Sequence, residues 1–478
     1  MRQRKTLIIS AIIGVLAVVG ILAIYFAFQN EKPEEPPLEQ VLEEKLMAYE
    51  TDLLDSLGSM ETNADVTDYL LNWAKNKQIP AVKDRAGNVI YTVPAAEHVQ
   101  DAQPSALLCS FDADSMDRYV NEIAFCLTAA KNVQNNGPLQ IIFLAEEDGD
   151  KTGIQGLDMH MIPENAAVFC LGTANTDTIS TVTGGFEHIS ISKELSQAEP
   201  EYNKAFRISL VNCPEISITS GRHAQLNPVK TLGGVLANLK STSLLFELSD
   251  FQAGNELTVS PSSAAMTIVI NDSDTAKFER KMKNSVEKVY EKYHEKYPEL
   301  AYTYEEVDLP SSVFAEEDTE NLVSLMYTLF NGIYHRDEEG TITAVTNIGT
   351  LSTNDSQLRI DISIISSDES MMQDISEEYE TICGLCDVKF NVKERYPVYD
   401  GSTNPQTAEL FSSYAEAYWN FTGGDTVPSA NTAVLTNCTF LQQKNEQLPI
   451  LFCSISEENI QTLLGAFVTW ADRGEPEK

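Results

Sequence analysis

Residues 141–158 read IIFLAEEDGDKTGIQGLD. An apolar run of strand type ends abruptly in Glu146, Glu147 and Asp148, and glycines and a second short apolar segment follow. A near-continuous apolar run of this length marks a strand buried on both faces, as in a sheet covered by helices. Three adjacent carboxylates repel one another, and each raises its neighbours' pKa unless a cation sits among them. At the end of a strand in an α/β protein such a cluster serves as a metal edge, a general base or a solvated turn. The residues alone leave all three open.

The surrounding segments extend the same pattern. LEQVLEEKLMAYETDLLDSLG (38–58) and DVTDYLLNWAKNKQ (65–78) place apolar residues three and four apart, as amphipathic helices do. GNVIYTV, SALLCSF and PLQIIFL are short apolar strands, with the helical MDRYVNEIAFCLTAAKN between the last two. AAVFCLG and ISTVTGG follow. After Gly185 the texture changes: FEHISISKEL, KAFRISLVNC and SLLFELSD alternate polar and apolar residues, the pattern of half-exposed antiparallel strands. NPVKTLGGVLANLKS, TAKFERKMKNSVEKVYEKYHEKY and SMMQDISEEYETICGL read as helices, and ITAVTNIGTLSTNDSQLRIDISIISSD as two strands joined by a turn. From about Tyr396 the first texture returns, with helices TAELFSSYAEAYWNF and SEENIQTLLGAFVTWADR around strands TAVLTNC and LPILFCS. The prediction is an α/β sheet with helices on both faces (38–184 and 394–475), interrupted by an inserted α+β domain (185–393) whose antiparallel sheet carries helices on one face.

The 478 residues are too many for one ordinary core, and 43% hydrophobic with 22% charged residues describes a globular chain. A net charge of −38 argues against nucleic acid or anionic membrane surfaces as partners and leaves a solvated acidic surface as the plainest account. At the N-terminus, Arg2, Arg4 and Lys5 (tail 1–6) precede an uncharged run from Leu7 to Phe28, long enough to cross a bilayer as a helix. Basic residues before it, and Glu31, Glu34 and Glu35 in the 29–37 linker after it, predict a single-pass anchor in the cell membrane. The N-terminus is then cytoplasmic and the C-terminal domains extracytoplasmic. No small-residue cleavage site follows the run, so the anchor is expected to stay uncleaved. Of the eight cysteines, Cys109, Cys170 and Cys453 fall in apolar strands, where free buried thiols are common. Cys383 and Cys386 form a CxxC without a second one, and so make no zinc motif.

The order of YLLNWAKNK, DRAGNVIYTVP, IIFLAEEDGDKTGIQGLD and TGG, followed by SGRH before NPVKTLGGVLANL and by YPVYDGSTNP, resembles the aminoacyl-histidine (Xaa-His) dipeptidases. These are part of the wider family of co-catalytic zinc aminopeptidases, carboxypeptidases and aminoacylases. The resemblance covers roughly residues 38 to 475 and implies a zinc-peptidase domain with an inserted lid domain. Such a site needs five zinc ligands and one general base: two metals lower the pKa of a bridging water, and a glutamate takes its proton.

What the resemblance carries over is uneven. The glutamate pair of the family matches Glu147 as general base and Asp148 as ligand. The H-x-D of the preceding strand falls on Phe111 and Ala113, or, shifted by one residue, on Asp112 and Asp114. The bridging aspartate falls nearest Asp117, the next strand's aspartate on Gly172, and the last histidine nearest Cys453. His223, in SGRH, matches the lid histidine that acts near the scissile carbonyl, whereas Ile365 stands at the position of the substrate-binding arginine. None of the six histidines falls at a ligand-histidine position.

The expectation is therefore a membrane-anchored, extracytoplasmic dipeptidase-like protein whose metallopeptidase site is degenerate, acting in peptide, small-molecule or partner binding. The cofactor is zinc where the site is active and otherwise none, and the resemblance implies a homodimer through the lid domain. The alternative is an active metal-dependent dipeptidase or aminoacylase-type hydrolase with a carboxylate-rich site of Asp112, Asp114, Asp117, Asp148 and Cys453. A third reading makes Asp112, Asp114, Glu146, Glu147, Asp148 and Asp150 a calcium-type structural site of oxygen donors. The substrate-binding residues are unknown from the sequence.

Overall fold

The computed structural model describes residues 36–147, 151–174, 177–220 and 222–472. The expected anchor Leu7–Phe28 lies outside the described residues. Among the described helices none is long and apolar enough to cross a membrane.

Seven strands form the first sheet, in the order Ala81–Lys83, Val89–Val93, Leu139–Ala145, Ser105–Phe111, Ala167–Gly172, Ile450–Ser454, Ile179–Ser180. The four central strands, from Leu139–Ala145 to Ile450–Ser454, are parallel, and antiparallel strands flank them on both sides. Alternate residues of each strand enter opposite cores. Leu107, Cys109, Ile141, Phe143, Phe169 and Leu451 pack beneath the helices Leu38–Ser56, Val120–Asn132, Pro405–Thr422 and Ile460–Ala471. Ala106, Leu108, Ile142, Leu144, Val168 and Phe452 pack on the other face with Ile154, Cys438 and Leu441, from the short helices Thr152–Gly156 and Asn437–Lys444. Burial on both faces is why these strands read as continuous apolar runs.

A second, mainly antiparallel sheet is built from strands within 182–396, with Ala301–Val307 at one edge and Lys389–Tyr396 at the other, and is joined by Tyr399–Asp400 and the parallel-paired Thr432–Leu435. One face is covered by four helices, Pro228–Ser241, Thr275–Tyr293, Glu316–Thr328 and Glu369–Leu385. The other face is more exposed, so Lys204–Val211 alternates between buried and half-buried positions, as its sequence anticipates. Helix starts are set locally. Thr62 and Asp65 close a reciprocal cap on Asn63–Lys77, and Asn227 and Asn404 cap helices that open on Pro228 and Pro405.

The strand Val182–Glu194 of the second sheet runs unbroken through Gly184 and Gly185, and its first residues also pair with Tyr399–Asp400 and Thr432–Leu435. A Cβ on Gly184 would lie 2.9 Å from the Val434 nitrogen, and one on Gly185 would lie 2.7 Å from the Tyr396 carbonyl oxygen. These glycines permit close approach between strands and do not form a turn.

Candidate functional site

The parallel strands end along one edge, with Phe111 opposite Ala145 and Gly172 opposite Ser454. Ligands of open α/β sheets bind at this carboxyl edge. Asp112 and Glu146 are the first residues beyond two neighbouring strands, and the Glu146 amide donates to the Phe111 carbonyl at 2.9 Å. Asp112 is buried, and its carboxylate accepts from the Asp114 amide at 3.1 Å, capping the turn Ala113–Tyr119.

Glu146 is fully buried. Lys151 Nζ reaches its two carboxylate oxygens at 3.0 and 2.9 Å. Ser110 Oγ donates to Oε1 at 2.5 Å and itself accepts from Asn437 Nδ2 at 3.0 Å. The loop carrying this pair is held at both ends by the buried Asn88: its Oδ1 accepts from the Ala145 amide at 3.0 Å, and its Nδ2 donates to the Gly153 carbonyl at 2.9 Å. Gly153 is needed there because a Cβ would sit 2.5 Å from the Ala145 carbonyl oxygen. Lys151 holds a left-handed backbone (φ +61), uncommon for a side chain of this kind.

A third buried carboxylate comes from the first turn of Val120–Asn132. Glu122 accepts from Thr173 Oγ1 at 2.9 Å, and Thr173 directly follows the strand Ala167–Gly172. Its Oε2 is buried without a hydrogen-bond partner among the described residues. Burial raises the Glu122 carboxyl to about 7, against smaller lowering effects from its own backbone and from Thr173. The Tyr119 phenol is pushed up by burial and then by the charges of Glu146, Asp112 and Glu122, with Arg118 acting in the opposite direction.

The residues singled out in the sequence are placed as follows. Glu147 is exposed, one position beyond the buried Glu146. Asp148 lies outside the described residues. Asp114 and Asp117 are exposed, whereas Asp112 is buried. Cys453 is buried in its strand, and burial pushes its thiol up, which disfavours the thiolate that zinc requires. His223 is half-buried in the second-sheet region, and burial, then Arg336 and Lys296, lower its imidazole pKa. Phe111 is fully buried in the first core, and Ile365 in a cluster with Phe186, Ile218, Val345 and Ala433.

Among the described residues no three His, Cys, Asp or Glu side chains converge as a metal site would require. The donors described do not fit the dinuclear zinc centre that the resemblance implies, and no chemical step is assigned to a metal here. The calcium-type reading meets the same absence of converging donors, although Asp148 and Asp150 lie outside the described residues. The residues around Glu146 and Glu122 that carry no motif in the sequence are Lys151, Ser110, Asn437, Thr173 and Tyr119. Only Lys151 had a local signal, as the cation closest to the acidic triplet.

No protein-family profile matches the chain. The cytosol non-specific dipeptidase of Escherichia coli is 19% identical over 394 residues, covering 75% of this chain and 81% of that protein. The crystal structure of aminoacylhistidine dipeptidase from Vibrio alginolyticus superposes with a TM-score of 0.63 at 15% identity, covering 86% of this chain and 93% of that one. A Bacillus subtilis protein described as a dinuclear metal-binding peptidase covers 89% of this chain at 10% identity and a TM-score of 0.38. The resemblance drawn from segment order thus holds at the level of architecture: this chain has the mixed α/β fold of an aminoacylhistidine dipeptidase.

Proposed function

We propose that this protein is a membrane-anchored, extracytoplasmic dipeptidase-like scaffold that binds a peptide, small molecule or protein partner without metallopeptidase turnover. The observation that carries this reading is Phe111. The residue that the ungapped match sets at the first ligand histidine is a fully buried phenylalanine in the core, whose ring can donate nothing to a metal, and the register shifted by one sets an aspartate and no imidazole there. Ile365 supports it, since the position matched to the substrate arginine is likewise buried in an apolar cluster. The purified full-length chain is expected to release no amino acid from dipeptide libraries with zinc, manganese or cobalt added. Rapid hydrolysis that is lost in Glu147→Gln would overturn the reading.

One observation favours the active alternative, a site of Asp112, Asp114, Asp117, Asp148 and Cys453 with Glu147 as base: Asp112 is a buried carboxylate at the carboxyl end of its strand. The same assay decides between the two, because only that alternative predicts metal-dependent turnover. Anchoring rests on Leu7–Phe28 and is tested separately. The chain should stay with membranes washed in alkaline carbonate, and a variant lacking residues 1–30 should be released.

A further inference from the structure

We propose that Lys151 is the built-in cation of the carboxyl edge, supplying from within the chain the positive charge that a buried Glu146 requires. An ionised carboxylate is costly to bury without a counter-charge, and a partner must be close and well oriented to offset that cost. Lys151 meets both conditions, with Nζ within 3.0 Å of both Glu146 oxygens and its side chain only 18% exposed. The arrangement is built in three further ways. Ser110 fills a remaining acceptor site on Oε1 and is itself fixed by Asn437 from a different part of the chain. Asn63 Nδ2 donates to the Glu146 carbonyl at 2.7 Å, which fixes the backbone that carries the carboxylate. Asn88 and Gly153 set the loop that returns Lys151 to the edge.

Removing the ammonium leaves the fully buried Glu146 carboxylate with the neutral Ser110 hydroxyl in place of a counter-charge. An edge of this kind attracts an external cation when its internal one is lost. The wild-type chain therefore folds without a divalent ion at this corner, and a Lys151 variant acquires a need for one. The inference deepens the reading of this edge as a scaffold without its metal and rests on that reading. Its failure is nevertheless separable, because it is read in melting temperatures and the other in peptide hydrolysis.

The experiment is a set of melting curves on full-length wild type, Lys151→Met, Glu146→Gln and the double variant. Each is measured in EDTA and again with zinc chloride, magnesium chloride or ethylammonium chloride. Wild type is expected to melt at the same temperature in all four conditions. Lys151→Met should lose more than about 5 °C in EDTA and regain at least half of that with one of the added cations. The double variant should melt near wild type in every condition, because replacing both charges removes the penalty. The proposal is overturned if wild type is stabilised by a divalent ion. It is also overturned if Lys151→Met melts like wild type, or if neither an added cation nor Glu146→Gln restores it. Should Lys151→Met fail to fold, the double variant decides: a folded double variant supports the inference and an unfolded one overturns it.

Discussion

Arg395→Ala should destabilise the antiparallel-sheet region by about 3 kcal/mol, the lower end of what breaking a buried ion pair costs. Arg395 sits on the edge strand Lys389–Tyr396 directly opposite Glu187. Its Nη1 lies 3.1 Å from the Glu187 carboxylate, and its Nη2 donates to Glu369 at 2.8 Å. Glu187 is fully buried, and its other polar contact is the hydroxyl of Ser376. Deleting the guanidinium strands a carboxylate with one neutral donor. Because Arg395 is 35% exposed, water replaces part of what is lost, which is why the lower figure applies. Glu369 also accepts from the Val398 amide at 3.0 Å, so the same triad ties down the segment leading back to the first sheet. For a region of about 200 residues this corresponds to a fall of roughly 6–12 °C in melting temperature. Glu187→Gln added to Arg395→Ala should restore most of it. A single variant that melts within about 2 °C of wild type would show that the pair is energetically idle.

The parts of the fold that were legible are those whose side chains see one kind of environment. SALLCSF, PLQIIFL and LPILFCS are buried on both faces, so apart from Ser105, Ser110, Gln140 and Ser454 their positions are apolar and the strands are unmistakable. Asn63–Lys77 and Pro228–Ser241 announce themselves by their caps. The edge strand Lys389–Tyr396 does not, since six of its eight positions are exposed, and its alternation is lost. The helix Glu316–Thr328 was passed over although Glu316, Glu317 and Asp318 crowd its first turn, where acids favour a helix start. The second sheet is consequently larger, and covered by more helices, than the alternating segments suggested.

The site was legible only where it is local in the chain. The acidic triplet flagged a strand end, and the chemistry of crowded carboxylates called for a cation nearby; Lys151 is five residues on from Glu146. That Glu146 turns inward while Glu147 faces solvent depends on how the loop leaves the sheet, which Asn88 and Gly153 decide from outside the triplet. Asn437 and Ser110 are 327 residues apart in the chain, and no spacing rule could pair them. Glu122 reads as the polar side of an amphipathic helix. It is buried because Val120–Asn132 is overlaid by Leu38–Ser56 and Ile460–Ala471, a tertiary fact.

Glu122→Gln is the substitution expected to raise stability, and its effect carries a pH signature. Burial raises the Glu122 carboxyl from 4.5 to about 7, so the folded chain holds this proton more tightly than the unfolded chain. The contribution is fully present below about 4.5 and is lost as pH rises through about 7. At roughly 1.4 kcal/mol per pH unit, the window is worth about 3 kcal/mol once Glu122 is forced to ionise. Glutamine keeps an acceptor for Thr173 and has no charge to bury. The variant should therefore match wild type near pH 4.5 and exceed it by about 3 kcal/mol at pH 8. Urea unfolding of both chains from pH 4 to 8 measures this, and taking the difference cancels the carboxylates they share. A difference that does not change with pH would mean that Glu122 stays ionised in the folded chain and that its neighbourhood supplies more counter-charge than Thr173. A pH-dependent difference would show that Glu122, unlike Glu146 with its Lys151 ammonium, is accommodated in the fold by holding its proton. One carboxylate is matched by Lys151, and Glu122 is neutral by virtue of its proton across the lower part of the window.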